Sequence, residues 1–149
     1  MYNYRRFQHE DPDHVILLAA ICPASTGAAP TITPIWSFKG TMAGPQSLVS
    51  YNGALYGTNA YGGAKGWGTV FQLTPPAHAG GAWSTSFYNI DGNIDGTFVS
   101  PTVTFDNNGA LYGTTNGGAG GCGTVFQSTP PATPGGAWGH AVLYTFPAS

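Results

Sequence analysis

The sequence has very few charged residues. Its 149 residues include four Lys or Arg and six Asp or Glu, 7% in all. Contacts between basic side chains and phosphates dominate the affinity of proteins for nucleic acid, and such proteins carry a basic patch. The sequence contains no basic cluster of that kind, so we expect no nucleic-acid partner.

Long apolar runs, cysteines and helical periodicity are scarce as well. A membrane-spanning helix needs about 20 consecutive apolar residues, and no run approaches that length, so we expect no membrane-spanning segment. Only Cys22 and Cys122 are present, without the spacing of a metal site. Gly and Pro number 23 and 12, but aromatic residues make up 13% of the chain, which favours a packed fold over disorder.

The first 34 residues differ in composition from the rest. The charged segment "MYNYRRFQHEDPDH" is followed by the apolar "VILLAAIC" and the small-residue segment "PASTGAAP". This order is typical of a secretory leader, although Glu10, Asp11 and Asp13 fit the pattern poorly. The sequence therefore predicts either a cleaved leader, and with it an extracellular or cell-surface location, or a disordered tail.

Several short segments occur twice, 55 or 56 positions apart. They are "GALYGT" (residues 53–58 and 109–114), "GTVFQ" (68–72 and 123–127) and "GGAW" (80–83 and 135–138). A related aromatic segment occurs three times, as "IWSF" (35–38), "FYNI" (87–90) and "LYTF" (143–146). A fixed period of this length indicates a repeat architecture.

Each repeat contains four strand-like segments rich in β-branched and aromatic residues. In the second repeat they are residues 87–90, 101–105, 110–115 and 123–127. The second and third segments are joined by Asn-Gly, at residues 52–53 and again at 108–109. Asn-Gly between two strand-like runs predicts a tight hairpin, because both turn positions require a positive φ.

Apolar residues stand side by side in these strands, as in Leu55-Tyr56 and Val70-Phe71. Neighbouring side chains on a strand point to opposite faces, so each sheet must be covered on both sides. No helical period is present to provide that cover, which leaves other sheets. We therefore predict an all-β fold of β-propeller-type repeats, with four-stranded antiparallel blades.

We divide the chain into a leader-like or disordered segment (residues 1–34), a first blade (35–86), a second blade (87–142) and the first strand of a third (143–149). About two blades plus one strand make an incomplete propeller, since closed propellers have about four to eight blades. The sequence favours a fragment of a longer gene product. Self-association of several copies into a ring, or an open pair of sheets with exposed edges, are the alternatives.

The repeated motifs resemble the GloVer tandem repeat of secreted bacterial proteins, over residues 35–149. The matching residues are Leu111-Tyr112-Gly113-Thr114-Thr115, Gly117-Gly118, Gly123-Thr124-Val125-Phe126 and Leu143-Tyr144-Thr145-Phe146. Asn59 and the segment "FYNI" depart slightly from the family pattern. The resemblance implies an extracellular, propeller-like array, and it carries no catalytic residues that can be transferred to this chain.

Residues 91–96, "DGNIDG", match the start of a calcium loop, with Asp91, Asn93 and Asp95 at alternate positions. The twelfth position is Thr102 rather than Glu, and no helices flank the loop, so a polar turn is the simpler interpretation. The Gly-rich segment 118–123 precedes a strand instead of a helix, so it predicts no nucleotide site. We expect no metal and no cofactor.

The histidines after the leader, His78 and His140, lack metal-ligand spacing, and we expect both to lie in solvated loops. The chain has no G-x-S-x-G elbow. Its few Asp residues do not suggest an opposed acid and base. We therefore predict no catalytic residues and a protein that is not an enzyme.

Tryptophan offers the remaining candidates for ligand contact. Trp83 and Trp138 are repeated and could stack on a sugar or close a strand edge, whereas Trp67 is unrepeated and lies in a Gly-rich loop that His78 could join. Loops on a rigid scaffold are where binding usually occurs. The loops that differ between repeats are residues 60–67, 91–99 and 116–122. The predicted function is a structural or binding module for an unknown protein or glycan. The alternative is a fragment of a carbohydrate-active or carbohydrate-binding propeller protein.

Overall fold

Eleven strands make up the regular structure of the described residues, and no helix occurs among them. This computed structural model describes residues 15–20, 32–40, 42, 44–133 and 135–148. Most of the predicted leader, residues 1–14 and 21–31, lies outside this part of the chain. The prediction of an all-β fold is confirmed.

The first half of the chain forms a hairpin and a four-stranded sheet. Strands β1 (Val15–Ala20) and β2 (Ile32–Phe38) pair antiparallel. The first sheet consists of β3 (Pro45–Tyr51), β4 (Ala54–Asn59), β5 (Thr69–Thr74) and β6 (Ser84–Asn89), each paired antiparallel with the next.

The second half forms a five-stranded sheet with the same chain order. Its first position is split between β7 (Thr97–Val99) and β8 (Thr104–Phe105), which both pair with β9 (Leu111–Gly117). Strands β10 (Gly121–Thr129) and β11 (Gly139–Pro147) complete it.

Both predicted Asn-Gly turns join the strands expected of them. Asn52 and Gly53 have φ values of 46° and 77°, as a tight two-residue hairpin requires. In the second repeat the loop is longer, and the side chain of Asp106 organises it. Its Oδ1 accepts hydrogen bonds from the backbone N–H groups of Asn108 (2.9 Å) and Ala110 (2.8 Å).

The first sheet is covered on both faces, as the paired apolar residues predicted. Tyr56 and Val70 lie in a core shared with the second sheet, where Phe126 is also fully buried. Their neighbours Leu55 and Phe71 belong to a core on the opposite face, which the hairpin residues Trp36 and Phe38 complete. The layers are therefore the hairpin, the first sheet and the second sheet. For the second sheet the prediction of cover on both sides is wrong, because Tyr144 and Phe146 on its outer face are exposed and no other described element packs on them.

The boundaries of the two sheets differ from the blade boundaries predicted from the sequence. The segment 87–90 was assigned to the start of the second blade, but its strand β6 pairs with β5 and closes the first sheet. Likewise, residues 143–147 lie in β11, which pairs with β10 rather than beginning a third sheet. Each aromatic segment is therefore the last strand of a sheet, and the described residues form two sheets and a hairpin without closing into a ring.

Candidate functional site

The repeated motif residues are used inside the sheets. Gln72 Nε2 donates a hydrogen bond to Tyr56 Oη at 2.9 Å, and Gln127 donates to Tyr112 in the same way at 2.8 Å. A second repeated pair is formed by side chains at the other end of the same strands. Asn59 Nδ2 donates to Thr69 Oγ1 at 2.8 Å, and the aligned hydroxyls of Thr115 and Thr124 are 2.9 Å apart. The repeated motif thus builds the scaffold, and its conserved spacing between repeats does not indicate a ligand site.

His140 is not in a solvated loop, so that expectation was wrong. It lies on strand β11 with its side chain 6% exposed, and its ring stacks on Tyr88 of the first sheet at 4.0 Å between centroids. Ser128 Oγ lies 2.7 Å from its Nδ1, and Asp95 Oδ1 lies 3.4 Å from its Nε2. Burial lowers the pKa of His140 below its ordinary 6.5, against the opposing charge of Asp95.

Ser128, His140 and Asp95 combine the residue types of a hydrolytic triad, but they do not form an accessible one. Ser128 is fully buried and Asp95 is 2% exposed. Asp95 Oδ2 also accepts hydrogen bonds from the Tyr88 hydroxyl (2.7 Å) and the Asp91 backbone N–H (2.9 Å). No substrate can approach a nucleophile at that depth, so the cluster joins the two sheets and is not a catalytic centre.

The carboxylates of the candidate calcium loop point to different partners. Asp91 pairs with Lys65 and accepts a hydrogen bond from the backbone of Asn93 at 3.0 Å, whereas Asp95 is turned into the interior. The hydrogen bond from Lys65, with that from Asn93, lowers the pKa of Asp91. In the part of the chain that the structure describes, no three His, Cys, Asp or Glu side chains are grouped to hold a metal ion.

The three loops that differ between repeats meet at one end of the sheets. The Phe98 N–H donates to the Trp67 carbonyl at 3.2 Å, and the Ala119 N–H donates to the Gly92 carbonyl at 3.1 Å. These bonds join residues 60–67, 91–99 and 116–122 into one surface, which we call the loop end. The prediction that these loops carry ligand contacts thus refers to a single surface.

Three aromatic rings are exposed side by side on the loop end. Tyr61, Trp67 and Phe98 are 55%, 40% and 38% exposed. The Phe98 ring lies between the other two, with its centroid 5.5 Å from that of Tyr61 and 5.7 Å from that of Trp67, both in edge-to-face geometry. Exposed aromatic clusters of this kind mark interaction surfaces.

The backbone of Phe98 is unusual in a way that points to this site. Its φ is 55°, in the left-handed region that bulky residues rarely occupy. Strained residues of this kind persist where the surrounding structure holds them, and they cluster at functional sites. In this conformation the Phe98 ring lies at the surface beside Trp67.

The other candidate residues lie elsewhere. Trp83 packs against the core between the hairpin and the first sheet, and Trp138 packs against the core between the two sheets. His78 is exposed, but its loop follows β5, whereas the loop of Trp67 precedes β5. The structure therefore separates His78 from Trp67 by the length of a strand.

Sequence reasoning did not single out Tyr61 or Phe98. A signal was present, because Tyr61 falls at the one-residue shift between the repeats and has no counterpart in the second copy. Phe98 gave no such signal. Phe98 is exposed on a left-handed backbone, and no local sequence pattern predicts that conformation.

Comparison of this chain with models of protein families, with curated proteins and with solved structures gives no match. No helix of the described residues has the length and apolar character needed to cross a membrane.

Proposed function

We propose that this protein is a non-catalytic binding module, built from propeller-type sheets, that holds its ligand at the loop end. The observation that carries the proposal is the contiguous exposed surface of Tyr61, Phe98 and Trp67. Loops positioned by a rigid scaffold are the usual place for binding residues. The motifs that repeat are occupied by scaffold contacts, which leaves the unrepeated loops for function.

The placement of the acidic residues supports a binding role over an enzymatic one. Asp95 is buried, and Asp91 is paired with Lys65. Asp106 lies in the turn before β9, whereas the loop end follows β9. Opposed carboxylates across a substrate, as glycoside hydrolysis requires, are not assembled from these three residues.

A glycan is the ligand class that we favour, and a protein surface is the second. The Lys65–Asp91 ion pair is exposed and borders the aromatic rings, since Gly92 lies directly beneath the Trp67 indole. An apolar ring beside a few placed polar groups is the general form of a small-ligand site. A sugar ring offers an apolar face to the aromatics and hydroxyls to the ion pair.

We further propose a secreted or cell-surface location, based on the leader-like N-terminal composition and the resemblance to GloVer repeats. Both are properties of the sequence. Expression of the full chain in a bacterium, followed by separate assay of cells, cell surface and medium, tests this part of the proposal. Retention of the intact chain inside the cell would contradict it.

The binding proposal is tested with a glycan array, followed by titration of any bound glycan monitored by tryptophan fluorescence. Tyr61→Ala and Trp67→Ala should each weaken binding at least tenfold, because each removes a ring from the surface. His78→Ala is the control, since His78 is exposed and its loop follows β5, whereas Trp67 precedes that strand. If all three variants bound the glycan with equal affinity, the loop end would not be the binding site. If the chain bound proteins but no glycan, the proposed ligand class would be wrong.

A further inference from the structure

The outer face of the second sheet exposes large apolar residues in a regular row. Tyr144 and Phe146 on β11 are 53% and 47% exposed, and their rings contact each other with centroids 5.0 Å apart. The aligned residues of the first sheet, Tyr88 and Ile90, pack instead into the core between the two sheets, where Ile90 is fully buried.

The strand registers show that the two surfaces correspond residue by residue. Tyr88 pairs with Val70 across β5 and β6, and Tyr144 pairs with Val125 across β10 and β11. The Tyr56–Gln72 hydrogen bond next to Val70 recurs as Tyr112–Gln127 next to Val125. The second sheet therefore presents to solvent the same kind of surface with which the first sheet binds the second.

The complementary surface lies at the other end of the same chain. The second sheet receives the first sheet on its Phe126 face, and the first sheet has an equivalent Phe71 face. Among the described residues, the two-stranded hairpin is the element that lies over that face, through Trp36 and Phe38, which align in sequence with Tyr144 and Phe146.

The hairpin covers the Phe71 face incompletely. Leu48, on the outer strand β3, remains 44% exposed, whereas Val103 near the corresponding edge of the second sheet is 8% exposed beneath the first sheet. A cavity of about 540 Å³ lies beside the hairpin, lined by Trp36, Met42 and Phe87 among others. Two strands thus occupy a place that a whole sheet fills elsewhere in the molecule.

We propose that a second copy of this chain docks head to tail on the first. The outer face of the second sheet of one copy binds the Phe71 face of the other, and Tyr144 and Phe146 take the places of Trp36 and Phe38. The hairpin acts as a cap that must move aside, so the two occupants compete for one face. Because the two contacting surfaces differ, each copy can bind one further copy at each end. The assembly then either closes into a ring or extends as an open filament.

The competition is tested by sedimentation velocity on the full chain over a wide range of protein concentration. Phe38→Ala weakens the cap, so it should raise the mass of the assembly relative to the wild type. The double variant Phe38→Ala/Phe146→Asp should return to the monomer, because the charge lies on the docking face. A folded Phe38→Ala chain that stays monomeric would overturn the proposal, as would assembly that Phe146→Asp leaves unchanged.

Disulfide trapping tests the contact with the cap residues unaltered. Inside one chain, Tyr88 of the first sheet contacts His140 of the second sheet. In the proposed contact between copies, Tyr144 takes the position of Tyr88, and Thr85 takes the position of His140. Tyr144 of one copy should therefore meet Thr85 of the other. One chain carries Tyr144→Cys and a second chain carries Thr85→Cys, and in both chains Cys22 and Cys122 are replaced by Ser. The two chains are mixed under mild oxidation. A cross-linked dimer is expected. Cross-linking no greater than that of Tyr144→Cys with the exposed control Ala79→Cys would contradict the proposal.

Discussion

The ring of Phe126 lies directly against the backbone of Gly113, its partner across strands β9 and β10. A Cβ atom placed on Gly113 would come within 2.5 Å of Phe126 Cζ, and the aligned pair Gly57 and Phe71 has the same 2.5 Å separation. In each repeat, therefore, one strand has a glycine at the position where the phenylalanine ring of the next strand packs against the backbone.

Gly113→Ala should therefore destabilise the protein strongly. The added methyl group has no free volume, and overpacking a core costs about 1–3 kcal/mol. We expect the free energy of unfolding to fall by about 2–3 kcal/mol in urea denaturation. Gly139→Ala is the control, because Gly139 is exposed and its nearest neighbour is the Thr129 side chain at 3.3 Å. Equal losses in the two variants would show that the ring contact is not the cause.

The repeated Tyr–Gln hydrogen bond allows a comparison within one chain. Tyr56 is 5% exposed between the two sheets, whereas Tyr112 is half-buried on the outer face. Tyr56→Phe should cost about 1–2 kcal/mol, because it leaves the Gln72 amide short of an acceptor in a buried position. Tyr112→Phe should cost less, since water can replace the lost partner. Thermal unfolding of both variants measures the difference, and the reverse order would contradict the burial argument.

The hydrogen bond from Tyr88 to Asp95 links the first sheet to the loop that precedes the second. Tyr88→Phe keeps the ring stacked on His140 but removes a donor from a buried carboxylate. The expected loss is about 1.5–3 kcal/mol, the range for hydrogen bonds to charged groups. Tyr144→Phe, at the aligned and exposed position, should change stability by less than about 0.5 kcal/mol. A Tyr88→Phe chain as stable as the wild type in urea would show that the bond is not a significant link.

Stability should fall as the pH is lowered through the range in which His140 titrates. Its pKa in the folded state lies below the ordinary 6.5 because burial disfavours the charged ring. The unfolded chain therefore binds the proton first, so stability is complete above about pH 6.5 and declines below it, by at most about 1.4 kcal/mol per pH unit. His140→Phe should remove this decline. Asp91 and Asp106, whose pKa values lie below 3.8, lose their contribution only in stronger acid. A wild-type chain that remains equally stable between pH 7 and pH 5 would contradict the prediction.

Local signals predicted the elements that depend on a few neighbouring residues. The Asn-Gly turns were sufficient to predict hairpins, and the apolar pairs Leu55-Tyr56 and Val70-Phe71 predicted the two-sided burial of the first sheet, because turn chemistry and side-chain alternation are set by adjacent residues. The same reasoning was wrong for the second sheet, whose outer face leaves Tyr144 and Phe146 exposed. Trp67 was predicted to be an exposed loop residue for a related reason, since it is unrepeated within a Gly-rich segment. It lies 40% exposed on the loop end.

The sequence alone thus determined that the chain is built of antiparallel β-sheets, and it shows short segments that recur 55 or 56 positions apart. The tertiary structure alone decided three further features. The aromatic segments close their sheets instead of opening them, His140 is buried between sheets, and Tyr61, Phe98 and Trp67 share one surface. Strand pairing and burial depend on partners far apart along the chain, such as Asp95 and His140, and no local pattern encodes which distant surfaces will meet.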